Sequence, residues 1–117
     1  MNKDLREEIN RLHAEVCSAL ADPNRILLLY NLAEHPMNVS ELSNEVALPQ
    51  PTVSRHLKVL RDRGMVSPKR DGQSVFYSLT DRRIIKALDL LRAILADSLE
   101  NQIALARTAN ETFGKAD

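Results

Sequence analysis

Gln50, Thr52, Ser54 and Arg55 gather hydrogen-bonding side chains into one short stretch. A Gln amide can pair through two hydrogen bonds with adenine, and an Arg guanidinium with guanine. Thr and Ser hydroxyls serve either base edges or phosphates. His56, Lys58 and Arg61 follow. That set suits phosphate oxygens, which position a duplex but carry no sequence information. Lys69, Arg70 and Gln73 lie a little further on and can reach a flanking backbone or a minor groove. The chain as a whole has no net charge, yet residues 50–73 hold six basic and two acidic side chains. Residues 1–49 hold four basic and eight acidic ones. A positive island in a neutral chain is the layout of a local polyanion site. Taken alone, it is equally the layout of a solvated helix face.

These side chains need elements to position them. Leu5, Ile9, Leu12, Val16 and Leu20 recur at helical spacing and predict a helix over about 4–21. Asp22-Pro23 then restarts the chain as an N-cap and a first helical position. The Ile26–Tyr30 block, apolar nearly all round, predicts the central core helix, closed by His35-Pro36. His35 itself reads as a helix C-terminal cap. Asn38 with Glu41 three residues later approaches a capping box for a short helix to about Val46. A connection with two prolines leads to a helix over about Gln50–Arg63, buried through Val53, Leu57 and Leu60 and stopped by Gly64. Two short helices joined by a tight turn predict a helix-turn-helix over about 39–63.

The pattern then changes to β. Asp71-Gly72 between two β-prone runs predicts a hairpin over about 65–79, with Pro68 marking an edge or irregular first strand. Its charges sit at the tip and its apolar residues at the base, the arrangement of a wing. Thr80-Asp81 is expected to cap a last helix over about 81–113. There Ile84, Leu88, Leu91, Leu95, Leu99 and Ile103 form one long stripe. So small a chain cannot cover that stripe alone, so a second subunit is its natural cover. The fold class expected is mainly α with a small β-hairpin (α+β): one winged helix-turn-helix domain over 1–117.

The chain resembles the ArsR-type (ArsR/SmtB-like) winged-helix repressors. Leu20-Ala21-Asp22-Pro23-Asn24-Arg25 is similar to a signature of that family. So are Asn38-Val39-Ser40-Glu41-Leu42, the string from Gln50 to Leu60, Gly64-Met65-Val66, and Asp71 to Tyr77. The likeness covers about residues 5–100. It implies a homodimer joined through its first and last helices, each half reading one arm of an inverted repeat in double-stranded DNA. It also implies release from DNA by a metal, a metalloid or an oxidant. Pro49 stands where the family usually has a Ser that caps the recognition helix. Losing that cap is expected to cost about 1 kcal/mol.

The resemblance does not carry a metal site with it. The family's metal sensors use Cys on the helix before the recognition helix, but Asn38–Val46 has neither Cys nor His. A second family site needs His on the last helix, and residues 81–113 have none. Sulfur-sensing members use a Cys pair, and this chain has one Cys. His13 and Cys17, four apart on one helix, are the remaining sensor candidates, for oxidation or for a metal completed by a second subunit. The commonest fate of a free Cys is instead that of a small buried hydrophobe. Asp97 and Glu100 read as a solvated face. No cofactor is expected.

Size and composition narrow the classes further. A chain of 117 residues fits one ordinary domain and is too short for a large catalytic barrel. One Cys excludes an intrachain disulfide framework. No apolar run is long enough for a bilayer and the N-terminus does not read as a signal peptide, so the expectation is a cytoplasmic protein without membrane contact. An enzyme is not expected: His13 and Cys17 have no Gly-rich loop or oxyanion-hole motif beside them. The remaining rival is a winged-helix protein-interaction module, since a fold does not fix a function. Gln50, Thr52, Ser54 and Arg55 argue against it, because such a module needs no base-reading side chains.

Overall fold

A computed structural model describes residues 2–114, with side chains as far as residue 111; the expected 1–117 domain extends past these limits at both ends. The chain divides after Arg82 into two compact units, which are described separately.

The first unit opens with a helical run that is not the single α-helix its spacing predicts. Helix α1 spans Lys3–Leu12, a π-helical turn spans His13–Cys17, and α2 spans Ser18–Leu20. The Ser18 N–H donates to the His13 carbonyl, five residues back. The Ser18 hydroxyl takes the Ala14 carbonyl that this shift releases. A serine bonding back to the carbonyl four residues earlier is a known source of helix distortion. The run has little core of its own: no residue of α1 is buried, and Ala19 is the buried residue of α2.

Helix α3 (Pro23–Glu34) starts as expected. The Asp22 carboxylate accepts the Asn24 N–H at 2.8 Å, and Pro23 takes the first position, where no N–H is needed. Leu28, Leu29 and Leu32 are buried, whereas Leu27 is 49% exposed, so the apolar block is buried on one side only. At the far end His35 takes the C-cap position expected of it, but its side chain does not cap the helix. The His35 ring bonds the Pro36 carbonyl at 2.9 Å, not a helix carbonyl. Arg82 supplies the C-terminal cap by donating to the Ala33 carbonyl at 2.8 Å.

Helix α4 (Val39–Val46) carries the full capping box: Glu41 N–H to the Asn38 side chain at 2.8 Å, and Asn38 N–H to the Glu41 carboxylate at 3.4 Å. It ends on Ala47 in the left-handed region (φ 55°), with Leu48 N–H reaching back to the Ser43 carbonyl at 3.2 Å. The Ser43 hydroxyl returns a bond to the Leu48 carbonyl and fastens the turn. Helix α5 (Gln50–Asp62) follows, anchored by Val53, Leu57 and Leu60, all without solvent exposure. Its end is a Schellman motif around Gly64 (φ 74°). Gly64 N–H donates to the Arg61 carbonyl and Met65 N–H to the Leu60 carbonyl, both at 2.9 Å.

The hairpin pairs β1 (Val66–Asp71) with β2 (Ser74–Leu79), antiparallel, from Val66 opposite Leu79 to Asp71 opposite Ser74. The turn residues are therefore Gly72 and Gln73, one place later than the Asp-Gly signal suggests. Only Gly72 has positive φ, the sign pattern of a type II′ turn. A further bridge lies on the other side of β2. Met37 and Tyr77 exchange both backbone bonds, at 3.1 and 2.8 Å. Because Tyr77 spends its N–H and C=O on Met37, it faces Pro68 as a non-hydrogen-bonded pair. Pro68 thus withholds no ladder bond, and β1 is the edge strand that its proline predicts. Thr80 does not act as a helix cap. Its N–H donates to the Met65 carbonyl and its hydroxyl to the Gly64 carbonyl, closing the hairpin base.

The second unit is one helix, α6 (Arg83–Gly114). It begins two residues later than predicted and continues to the last described residue, 114. Along it Leu91, Leu95, Leu99 and Ile103 are 50–60% exposed. Among the described residues, no helix is long and apolar enough to cross a membrane.

Candidate nucleic-acid interface

Helix α5 is anchored on one side and polar on the other. Val53, Leu57 and Leu60 bury one face, while Gln50, Ser54, Arg55, Lys58 and Arg61 stand exposed. Thr52 and His56 are half-buried. The spacing of the buried residues dictates this division: they recur every three to four positions, so the residues between them must face away. Arg55 lies over the helix start, its guanidinium donating to the Thr52 hydroxyl at 3.4 Å. Lys58 pairs with Asp62 at 3.2 Å, and both side chains are more than half exposed. A pair so solvated holds Lys58 only weakly. It still partly offsets a charge that the sequence reading left free.

The start of α5 moderates one expectation. Pro49 gives the helix no side-chain cap, as its chemistry requires. Pro51, however, brings no N–H to be capped. Thr52 and Val53 N–H groups both reach the Pro49 carbonyl, at 3.0 and 3.1 Å. The missing cap thus leaves fewer orphan donors than the Ser-to-Pro comparison suggests.

At the wing, Lys69, Arg70 and Gln73 are exposed. Lys69 and Arg70 are adjacent on β1, so they project from opposite faces of the hairpin, with Gln73 in its turn. Lys69, Arg70, Asp71 and Phe76 line an open hollow of about 350 Å³.

A helix pair, a tight left-handed turn, a polar-faced second helix and a basic hairpin stand together in the first unit. The family model for "Bacterial regulatory protein, arsR family" matches residues 22–67, from the cap of α3 into β1. The nodulation protein NolR of Rhizobium meliloti is 35% identical over 95 residues, covering 81% of this chain and 78% of that protein. The chain belongs to the arsR family of bacterial regulatory proteins. Solved structures agree. The crystal structure of NolR from Sinorhizobium fredii matches with a TM-score of 0.71 at 36% identity, over 80% of this chain and 93% of that one. That of the transcriptional repressor BigR from Xylella fastidiosa matches with 0.68 at 31%, over 80% and 96%. The fold is accordingly a winged helix-turn-helix.

Within this arsR-family chain the sensor candidates stand differently from the sequence expectation. Cys17 is exposed in the single chain, not buried in its core as a small hydrophobe. Its helical run contributes only Ala19 to the core, and the thiol gains no cover from it. His13 is exposed as well, at the other end of the π turn. Among the described residues, no three His, Cys, Asp or Glu side chains group as metal ligands.

Sequence reasoning missed Arg25. It donates through Nε to the Ala19 carbonyl at 2.6 Å and through Nη2 to the Ser18 carbonyl at 3.2 Å, capping α2. Its Nη1 lies 3.4 Å from His56 Nδ1 on α5 and 4.0 Å from the Asp22 carboxylate. The Asn24 N–H, with a smaller contribution from the Arg25 guanidinium, holds the Asp22 carboxyl below its ordinary pKa, against the opposing effect of desolvation. The signal was present in the sequence. An Arg two places after a helix-starting proline can reach the carbonyls of the helix just ended, and such carbonyls need donors.

Proposed function

We propose that this chain is a sequence-specific transcriptional repressor that binds an inverted-repeat operator in double-stranded DNA as a homodimer. One observation carries the reading: the anchoring of α5 by Val53, Leu57 and Leu60 leaves Gln50, Ser54 and Arg55 exposed at its start. A recognition helix presents its N-terminal side chains to base edges in this way. Gln50 and Arg55 read bases, Thr52 and Ser54 serve bases or phosphates, and His56, Lys58 and Arg61 meet phosphates. Lys69, Arg70 and Gln73 engage the flanking backbone or minor groove. The description of BigR as a transcriptional repressor supports the repressor assignment.

The partner is a second copy. Helices α1 and α6 each carry an exposed apolar stripe, and self-association covers both without a further protein. The one winged-helix domain then spans the whole chain, works in the cytoplasm and performs no catalysis.

The test is a fluorescence-anisotropy titration onto the duplex upstream of the protein's own gene. A dimer that neutralises about 8 phosphates gives a log–log salt slope near −7. A slope near zero overturns DNA binding as the role and leaves a protein-interaction module. Repeating the titration after mild oxidation reads whether the exposed Cys17 carries the releasing signal.

A further inference from the structure

Arg25 has more partners than a helix cap requires. Its side chain is only 16% exposed, and three of its nitrogens are directed at different acceptors. Two are the last carbonyls of the first helical run, Ser18 and Ala19; the third is the ring of His56. The ring contact fixes chemistry as well as position. A guanidinium offers only donors and stays charged in proteins. A hydrogen bond between Arg25 Nη1 and His56 Nδ1 therefore exists only when Nδ1 carries a lone pair. The imidazole is then neutral, with its proton on Nε2. The charged groups set against the ring are the Arg25 guanidinium and, behind it, the Asp22 carboxylate. Among the described residues Nε2 has no hydrogen-bond partner. A ring gripped at Nδ1 holds Nε2–H as an ordered, unspent donor on the recognition helix, between Arg55 and Lys58.

We infer that Arg25 is a positioning residue for DNA binding, holding His56 as its Nε2–H tautomer so that this N–H donates to a backbone phosphate oxygen. The inference rests on the DNA-binding reading above and deepens it. Arg25 touches no DNA in this scheme; it selects which edge of the ring is free and which nitrogen bears the proton. Setting the tautomer of a histidine through a bond at its other nitrogen is a general device.

The test separates the two nitrogens. A long-range ¹H–¹⁵N spectrum of the full chain in mildly alkaline buffer reads the tautomer directly, with the His56 signals assigned by their loss in His56→Asn. The expected result is the Nε2–H form in the wild type and a tautomer mixture in Arg25→Gln. Because Arg25→Gln also uncaps Ser18 and Ala19 and can unfold the chain, a second pair carries the functional arm. His56→Asn keeps an acceptor near the Nδ1 position and removes the outer donor. His56→Gln keeps a donor near Nε2 and removes the inner acceptor. Asn is expected to leave the melting temperature unchanged and to weaken operator binding by at least about 10-fold, the loss of a hydrogen bond to a charged group. Gln is expected to retain more affinity than Asn. An Nδ1–H tautomer in the free protein overturns the inference. Wild-type affinity in both variants, or weaker binding by Gln than by Asn, overturns it too, leaving His56 a support for Arg25. If the wild type shows no salt-dependent DNA binding, the phosphate contact falls with the function itself. The tautomer signal then still reports whether Arg25 sets the ring.

Discussion

The helix-turn-helix and α6 use the same residues to opposite ends. In α5, Val53, Leu57 and Leu60 recur at helical spacing and are fully buried. In α6, Leu91, Leu95, Leu99 and Ile103 recur at the same spacing and are at least half exposed. Periodicity identifies an apolar face in both cases; it does not say what covers the face. The helix-turn-helix finds its cover within the first unit, with α3, α4 and the hairpin base around it. The long helix carries more apolar surface than a lone subunit leaves in water. One region thus specifies its own fold, and the other leaves an apolar face that the proposed self-association would cover.

Substitutions that probe each stripe sharpen this contrast. The largest stability effect belongs to the self-covered region. Leu57→Ala is expected to cost about 2–5 kcal/mol, read by urea or thermal unfolding, because it empties a site with no solvent access. The same change at Leu95 should cost an isolated subunit far less. In α6 the expected loss is of assembly: Leu95→Glu with Leu99→Glu places charge in the stripe, and sedimentation should show monomers that keep the helical content of the wild type. A double variant that stays dimeric would break the contrast and place the dimer interface elsewhere.

Next in size is recognition. Arg55→Ala is expected to weaken operator binding by about 1–3 kcal/mol and to relax one base preference, read by titration against a set of operator variants. A uniform loss across all sequences would assign Arg55 to phosphate.

A smaller effect tests the junction between α2, α3 and α5. Asp22 has its folded pKa depressed, with the Asn24 N–H as the leading cause. Its contribution to stability is therefore fully present above the ordinary carboxylate value of 3.8 and is lost as pH falls through the lower folded value. Asp22→Asn, which keeps a capping oxygen but not the charge, should flatten the acid limb of the stability profile by slightly lowering stability at neutral pH.

Much of this was legible in the sequence because local chemistry decides it. Asn38 and Glu41 are a capping box in spacing and in fact, and Gly64 stops α5 where a left-handed residue is needed. The misreadings share a different origin. The spacing from Leu5 to Leu20 fits an α-helix, but Ser18 redirects one backbone bond and inserts a π turn. The His35 side chain looked like a cap and Thr80 like part of another, yet Arg82 donates to the Ala33 carbonyl and Thr80 spends its hydroxyl on the Gly64 carbonyl, both across the fold. The link from Arg25 to His56 spans 31 residues, and the bridge from Met37 to Tyr77 spans 40. Residue types announce that a donor exists; only the fold says which acceptor it meets. The exposed polar residues of α5 were legible because its anchors were, one side of a helix being defined by the other.

The smallest predicted effect lies within the self-covered region and tests how completely it specifies itself. Ala47 ends α4 at φ 55°, a conformation that L-residues other than Asn and Asp adopt at a cost near 1 kcal/mol. Three bonds hold it there: Ala47 N–H to the Ser43 carbonyl, Leu48 N–H to the same carbonyl, and the Ser43 hydroxyl to the Leu48 carbonyl. Ala47 itself is exposed, so its methyl contributes little packing in return. Ala47→Gly removes the steric cost but frees the unfolded backbone, and the two terms are similar in size. The expected net is a stabilisation of at most about 1 kcal/mol, with operator affinity unchanged because the α4–α5 geometry is already set by those bonds. Should affinity fall while stability rises, the strained alanine would be a determinant of how α5 meets DNA. The helix-turn-helix would then no longer be a region that its own packing defines.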